Sequence, residues 1–176
     1  MKAALILLVF FLYKAPTATG SDSLVLYLFL LDDCIICQDY TPLVNQLHKE
    51  YGEDVTFIGL FPNFSSKPDK IERFKQTYGI NFELKTDYYK TIAAELEATI
   101  TPEVVLYNVT TGQKLYQGRI DNKFVKLGRR RSVVTEHNLS DALAAAIMNT
   151  RRPSPTTTAV GCYINYSDAI SKHILK

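Results

Sequence analysis

Two cysteines separated by two residues, Cys34 and Cys37, are the part of this sequence best suited to chemistry. An apolar run at residues 24–31 precedes them, which is typical of a buried strand, and residues 38–51 follow with apolar positions at helical spacing. The first cysteine would then lie at a helix N-terminus, where free N–H groups and the helix dipole favour a thiolate. The second lies one turn further along, within reach of a disulfide. The pattern predicts Cys34 as a nucleophile and Cys37 as the thiol that resolves its disulfides.

Two other interpretations of a C-x-x-C pair are open. The pair is half of a tetrahedral zinc site, but such a site needs a second Cys/His pair, and the three histidines, His48, His137 and His173, are scattered along the chain. The pair is also compatible with a purely structural disulfide. The strand–helix context favours redox chemistry over both, so we expect no metal and no organic cofactor.

The surroundings of Cys34 bear on its reactivity. Asp32 and Asp33 stand directly before it, and nearby carboxylates oppose formation of a thiolate. We therefore expect these carboxylates to raise the pKa of Cys34 against the effect of the helix end.

The elements that must position the pair follow from the hydrophobic pattern. Apolar runs predict strands at 24–31, 55–61, 82–84 and 101–107, with a return strand at 114–120 after the Thr111-Gly112 turn. Helical spacing predicts helices at 38–51, 69–78, 88–98 and 139–148, the last capped by Asn138. Arg119 and Asp121 are candidates for a buried pair. This order predicts an α/β fold with a mostly parallel central sheet, an antiparallel C-terminal hairpin and flanking helices.

Two features beyond the cysteines resemble the thioredoxin-like superfamily. Thr101-Pro102 stands at the start of the late strand, and the hairpin is followed by a last helix. The resemblance implies a thioredoxin-like fold in which Pro102 forms a cis peptide bond facing the cysteines. It also implies that Thr101 and Pro102 present backbone to a bound substrate.

A narrower resemblance is to the redoxin (AhpC/TSA-like) group of exported bacterial proteins. Five segments carry it: 101–104, 118–122, 127–131, 135–139 and 159–162. The chain departs from relatives in having no tryptophan before the first cysteine. It also lacks, in residues 28–33, the proline and the threonine or serine that precede a peroxidatic cysteine.

The N-terminus of the chain indicates export. Lys2, an apolar run at 3–13 and small residues at Ala18 and Gly20 are typical of a secretory signal. We divide the chain into a signal peptide at 1–20, a thioredoxin-like domain at 21–150, and a Pro/Thr-rich linker with a C-terminal tail at 151–176. The protein is expected to be periplasmic or secreted, and to touch a membrane only if the N-terminal segment is not cleaved. A formal net charge of +2 gives no reason to expect a nucleic-acid partner.

A third cysteine, Cys162, lies alone in the tail beside Gly161. It is a small apolar residue, an additional thiol that resolves Cys34, or the site of an intermolecular bond. A folded-back contact with the domain is also open. Elsewhere in the chain, the run Arg129-Arg130-Arg131 is a solvated turn, an anion site or a docking surface.

Three functions remain. The leading hypothesis is an exported thiol–disulfide oxidoreductase, with a protein or small-molecule disulfide as substrate and a redox partner that recycles the cysteine pair. The second is a thiol peroxidase, or AhpC/TSA-like antioxidant, in which Cys34 is oxidised to a sulfenic acid. The third is a non-catalytic thioredoxin-fold binding domain.

Overall fold

The structure is a computed structural model, which describes residues 23–150 and 156–167. The predicted signal at 1–20, part of the predicted linker (151–155) and residues 168–176 lie outside the described residues. The helices are α1 (Ile35–Tyr51), α2 (Pro68–Tyr78), α3 (Thr91–Glu95) and α4 (Asn138–Ile147). The strands are β1 (Leu24–Phe29), β2 (Val55–Phe61), β3 (Glu83–Thr86), β4 (Ile100–Thr101), β5 (Glu103–Asn108), β6 (Gln113–Gly118), β7 (Phe124–Lys126), β8 (Arg129–Arg130) and β9 (Cys162–Tyr163).

The central sheet has five strands in the order β3-β2-β1-β5-β6. β1 pairs parallel with β2, and β2 with β3, whereas β5 is antiparallel to both β1 and β6. Four strands therefore share one direction and β5 opposes them. This arrangement confirms the predicted mixed α/β fold with a mostly parallel sheet and an antiparallel hairpin.

The two faces of the sheet bury different side chains, because successive residues of a strand point to opposite faces. Leu26 and Leu28 belong to a large core that also contains buried residues of α1, α2 and α4. Phe29 and Leu60 belong to a small core on the other face, with Ala93 of α3. Because both faces of the sheet are covered at β1, the sequence of this strand is one continuous apolar run.

The third helix is shorter than the predicted 88–98. It begins after Lys90, whose φ is +55°, and it ends at Glu95. The Asp87 carboxylate accepts the Ala93 N–H at 2.8 Å, so residues 87–90 form the entry to the helix and not its first turn. The apolar spacing of this segment was compatible with a longer helix, but the local turn around Asp87 decides where the helix starts.

Two local predictions near the last helix are wrong. Asn138 does not cap α4: it is the first helical residue, and its side-chain oxygen accepts the Arg119 Nε–H at 2.9 Å. Arg119 is not paired with Asp121 either, since its guanidinium contacts Glu136 at 2.6 Å. Asp121 instead accepts the Tyr40 hydroxyl and the Lys123 backbone N–H.

The described part of the tail folds back onto the domain. β9 pairs antiparallel with β4, and Ile164 lies in the small core. The described tail is therefore packed against the domain, with β9 on β4 and Ile164 in the small core. Among the helices of the described residues, none is long and apolar enough to cross a membrane.

Candidate functional site

Cys34 occupies the N-cap position of α1, directly after the turn that ends β1. Its backbone N–H donates to the Leu31 carbonyl at 3.2 Å, and its own carbonyl accepts the Gln38 N–H at 3.0 Å. The residue is buried, with 2% of its surface exposed. The buried strand and the helix thus bring the sulfur to the helix N-terminus, where the sequence predicted it.

The environment of Cys34 favours its thiolate. A hydrogen bond from the Cys37 thiol is the largest cause, followed on the same side by bonds from Cys162 and from the backbone N–H groups of Cys37 and Ile36. Desolvation opposes these bonds, yet the pKa of Cys34 falls from 9.0 to about 5. Hydrogen bonds to the charged form lower a thiol pKa in this way.

Cys37 has the opposite character. It is buried, and desolvation together with its contact to Cys34 raises the pKa of its thiol well above the ordinary value. A protonated Cys37 can donate to the Cys34 sulfur. The two cysteines of the motif therefore differ in charge, with the thiolate at the helix end and the thiol one turn below.

The Thr101–Pro102 peptide bond is cis and lies against the cysteines. The thiol form of Cys34 donates to the Thr101 carbonyl at 3.5 Å. Glu103 fixes this segment from behind, because one carboxylate oxygen accepts the Thr99 N–H at 2.9 Å and the Ile100 N–H at 3.4 Å. The structure thus brings Thr101 and Pro102 to Cys34, as the resemblance implied.

Cys162 also reaches the site. Its Sγ lies 3.0 Å from the Cys34 Sγ, in donor geometry toward it. The register of β4 and β9 places Cys162 opposite Thr101. Desolvation is the first cause that raises the pKa of Cys162, to about 12, and contact with Cys34 adds to it. Three sulfur atoms therefore meet at the start of α1.

The main interactions that set the pKa of Cys34 do not come from the acidic pair, whose expected effect on this thiol stays a prediction. The pKa of Cys34 is lowered, because the hydrogen bonds to its sulfur outweigh the factors that raise it. Asp32 accepts the Ser66 hydroxyl at 2.5 Å, which gives its carboxylate a local partner. Asp33 acts on Cys162 instead, whose pKa it helps to raise.

A cavity of about 350 Å³ opens beside the sulfur atoms. It is lined by Cys34 and Cys162 on one side and by residues of β7, β8 and their connection on the other, including Leu127 and Arg130. Arg129 and Arg130 form β8 and are exposed. The first two arginines of the run therefore form one strand of a two-stranded hairpin at the rim of the site, and not a simple turn, and Arg131 follows that strand.

Within residues 23–150 and 156–167, no group of three or more histidine, cysteine, aspartate or glutamate side chains is arranged to hold a metal ion. His48 packs its ring against Phe57 and Phe82 in the large core, with ring centroids 5.1 and 5.4 Å away. The described histidines thus do not supply the second pair of ligands that a zinc site would need.

Comparison with solved structures places this arrangement among known folds. A hypothetical protein from Sinorhizobium meliloti superposes with a TM-score of 0.69 at 20% identity, covering 83% of this chain and 81% of that one. A secreted disulfide oxidoreductase of Mycobacterium tuberculosis, homologous to E. coli DsbE, gives 0.51 at 21% identity over 71% and 83%. A candidate thioredoxin from Neisseria meningitidis gives 0.56 at 15% identity over 74% and 79%.

The chain has a thioredoxin-like fold. No protein-family model and no curated protein sequence matches it. The predicted fold is confirmed by these structures, while the roles of the individual site residues stay predictions.

Sequence reasoning missed several contacts in and around the candidate site. In the sequence, Glu103 is one polar residue within an apolar strand. Its carboxylate is buried in the structure, and buried polar groups need hydrogen-bond partners. A charged residue within an apolar run is therefore the signal that could have identified it. The contact between Tyr40 and Asp121 gave no signal, because it joins residues that are 81 positions apart, and Asp121 had been expected to pair with Arg119.

Proposed function

We propose that this protein is an exported thiol–disulfide oxidoreductase. The observation that carries the proposal is the position of Cys34 at the N-cap of α1, hydrogen-bonded by a second thiol one turn below it. Thiolates are the nucleophiles of disulfide exchange. A helix end that holds one thiolate and one thiol has both groups that the exchange needs.

The reaction has two exchange steps. The Cys34 thiolate attacks one sulfur of a substrate disulfide, a mixed disulfide forms, and the other substrate sulfur leaves as a thiolate. Cys37 then gives up its proton and attacks the Cys34 sulfur, which releases the second substrate thiol and leaves a Cys34–Cys37 disulfide. The substrate gains the two electrons that the cysteine pair loses, and the reverse sequence oxidises a dithiol.

The same contacts explain how Cys37 becomes active only in the second step. The charge on Cys34 is one cause of the raised pKa of Cys37. Once Cys34 is in a mixed disulfide, that charge is gone and Cys37 ionises more readily. The resolving thiol is thus held protonated until the intermediate exists.

The substrate is a protein or small-molecule disulfide, and a separate redox partner recycles the cysteine pair. Thr101 and Pro102, placed against Cys34, are proposed to present backbone to it. The cysteine pair supplies the electrons directly, so no metal or organic cofactor is needed. The M. tuberculosis neighbour is described as secreted, which agrees with the export predicted from residues 1–20. Assignment to the redoxin group stays a prediction.

The first test is the reduction potential of the Cys34–Cys37 pair, titrated against glutathione in a Cys162→Ser variant. We expect a value between about −120 and −270 mV, the range of working oxidoreductases. Turnover of insulin disulfides with dithiothreitol should be lost in Cys34→Ser. A pair that stays oxidised throughout the titration would contradict the proposal and support a structural disulfide. A pair that never forms a bond would also contradict it, and would leave the peroxidase or the binding domain.

Export is tested separately, by expressing the full chain in a bacterial host and measuring the mass of the exported protein. Cleavage after Gly20 is expected. A full-length product that stays with the membrane fraction would show that the N-terminal segment is kept as an anchor.

A further inference from the structure

The contact between Cys162 and Cys34 is part of a built interaction and not a chance approach. β9 pairs with β4, and the Thr101 hydroxyl donates to the Cys162 carbonyl at 3.3 Å. Before the strand, the Thr157 N–H donates to the Gln117 carbonyl at 3.0 Å; after it, the Ile164 N–H donates to the Thr99 carbonyl at 2.9 Å. The segment that carries Cys162 is therefore held at both ends.

The residue before Cys162 sets how closely the strand can approach. A Cβ added at Gly161 would lie 2.0 Å from the Thr101 carbonyl oxygen and 3.1 Å from the Pro102 Cδ. A side chain at this position would push the strand away from the Thr101–Pro102 bond. Glycine thus allows Cys162 to reach the nucleophile.

The position of Cys162 is also the position of a reacting sulfur. Any sulfur that Cys34 attacks must come within contact of the Cys34 Sγ, and the Cys162 Sγ already lies 3.0 Å from it. An external disulfide and the chain's own Cys162 therefore compete for contact with the same sulfur atom.

We propose that Cys162 is a third redox thiol of the site: it forms a disulfide with Cys34 in competition with Cys37, and this bond closes Cys34 to external disulfides. The inference rests on the proposed function in one respect, namely that Cys34 is the nucleophile. It adds a second closed state, in which the tail is tied to the start of α1.

The bond forms by exchange with an external disulfide, for which glutathione disulfide is the probe. The Cys34 thiolate attacks it, a Cys34–glutathione disulfide forms, and one glutathione thiolate leaves. The Cys162 thiol gives its proton to solvent, its sulfur attacks the Cys34 Sγ, and the second glutathione thiolate leaves. The protein has then lost two electrons from one thiolate and one thiol, with one proton given to solvent, and one glutathione disulfide has become two glutathione thiolates.

The Cys34–Cys162 disulfide can be exchanged for the Cys34–Cys37 disulfide within the same site. Attack of Cys37 on the Cys34 sulfur breaks the Cys34–Cys162 bond, forms the Cys34–Cys37 disulfide and returns Cys162 as a thiol. Neither step needs an oxidant beyond the external disulfide. Cys162 thus protects the nucleophile, and Cys37 restores it to the cycle.

The test uses a Cys37→Ser variant, in which serine keeps a hydroxyl donor near Cys34 but cannot form a disulfide. After incubation with glutathione disulfide, intact mass and peptide mapping should show an internal Cys34–Cys162 bond and no bound glutathione. The matched control, Cys37→Ser with Cys162→Ser, should keep one glutathione on Cys34. A Cys37→Ser protein that keeps glutathione as the control does would overturn the inference.

A second pair of variants tests the role of the strand. In the Cys37→Ser background, Gly161→Ala should slow formation of the Cys34–Cys162 bond about tenfold, a barrier increase of ~1.4 kcal/mol. Tyr163→Ala, on the same strand with 79% of the tyrosine exposed, should leave the rate unchanged. Circular dichroism confirms that each variant is folded. Equal rates for the two variants would contradict the placement of Cys162 by β9.

These outcomes are separate from those of the proposed function. Insulin turnover is measured in the Cys162→Ser protein, where Cys34 and Cys37 are intact. If that protein has no turnover while the Cys34–Cys162 bond forms in Cys37→Ser, the oxidoreductase proposal fails and the inference stands. If turnover is normal but the bond does not form, the inference alone fails.

Discussion

At the scale of single residues, the chemistry of the site depends on hydrogen bonds to one sulfur. Cys34 receives them from Cys37, from Cys162 and from two backbone N–H groups. The same interactions that lower the pKa of Cys34 raise those of its two partners. The site is therefore a set of three thiols that shares one negative charge.

Removing the strongest donor should shift the titration of Cys34. In Cys37→Ala, we expect the pKa of Cys34 to move up from about 5 toward its ordinary value, because the largest cause of its depression is lost. Thiolate ultraviolet absorbance of the reduced protein, followed against pH, measures this shift. Cys37→Ser, which keeps a hydroxyl donor, should shift the midpoint less. An unchanged midpoint in Cys37→Ala would show that another interaction holds the thiolate.

The same depression makes stability depend on pH. The folded pKa of Cys34, about 5, lies below the value of 9.0 expected for the unfolded chain, so between these values the unfolded state binds more protons. The contribution of Cys34 to stability is fully present above the unfolded pKa and is lost as pH falls through the folded pKa. Cys37 and Cys162 stay protonated in both states up to about pH 8, since their folded pKa values are raised above the same unfolded value of 9.0.

Urea denaturation of the reduced protein at several pH values checks that sign. Relative to Cys34→Ser, the native protein should gain stability as pH rises from about 5 to about 8, because each unit of pKa separation is worth ~1.4 kcal/mol. Both proteins contain the same carboxylates, so the pH dependence that these groups give to the free energy of unfolding cancels when one protein is subtracted from the other. A difference that is flat, or that falls with pH, would be inconsistent with a thiolate at Cys34.

At the scale of elements, the site lies where four short segments meet: the start of α1, β4, the cis bond before β5, and β9. The short strand β4 has little support from its own two residues. The Glu103 side chain holds this strand in place. Its carboxylate accepts hydrogen bonds from the backbone N–H groups of residues 99 and 100 and from the Gln117 side-chain amide, the last at 3.2 Å. One buried side chain of β5 thus holds the segment that contacts Cys34.

Truncating that side chain should destabilise the protein through unpaired backbone groups. Glu103→Ala leaves two N–H groups without their acceptor, at a cost of about 1–3 kcal/mol. Glu103→Gln keeps one side-chain oxygen as acceptor and should cost less. Urea denaturation of both variants measures the difference, and equal losses would indicate that the charge matters more than the hydrogen bonds.

At the scale of the whole molecule, the described tail is part of the packed structure. Ile164 has 5% of its surface exposed and belongs to the small core with Phe29 and Leu60. The tail thus covers the face of the sheet that α3, with only five residues, leaves open.

Replacing that residue should therefore cost as much as a change in the central sheet. Ile164→Ala is expected to lower the free energy of unfolding by about 2–5 kcal/mol, the usual cost of such a cavity. Tyr163→Ala, one residue earlier and mainly exposed, should cost far less. Chemical denaturation compares them; a loss below about 1 kcal/mol for Ile164→Ala would show that the tail is only loosely attached.

The sequence by itself predicted the order of the central-sheet strands and the four helices, and it proposed redox chemistry for the motif. Continuous apolar runs identify strands covered on both faces, and helical spacing after Cys37 identifies α1, because these signals are local and periodic. The place of Cys34 at a helix end followed from the same patterns. Thr101 and Pro102 came from a resemblance, and the structure places them against Cys34.

Only the tertiary structure decided which groups meet the sulfur. The hydrogen bonds that lower the pKa of Cys34 were not predicted, because the two aspartates are visible as neighbours in the chain while the contact with the thiol of Cys162 is not. Cys162 lies 128 residues from Cys34, and its approach depends on one strand pairing and on the missing side chain of Gly161. Contacts between distant residues leave no periodic signal in one sequence, so the third thiol of the site is a property of the fold.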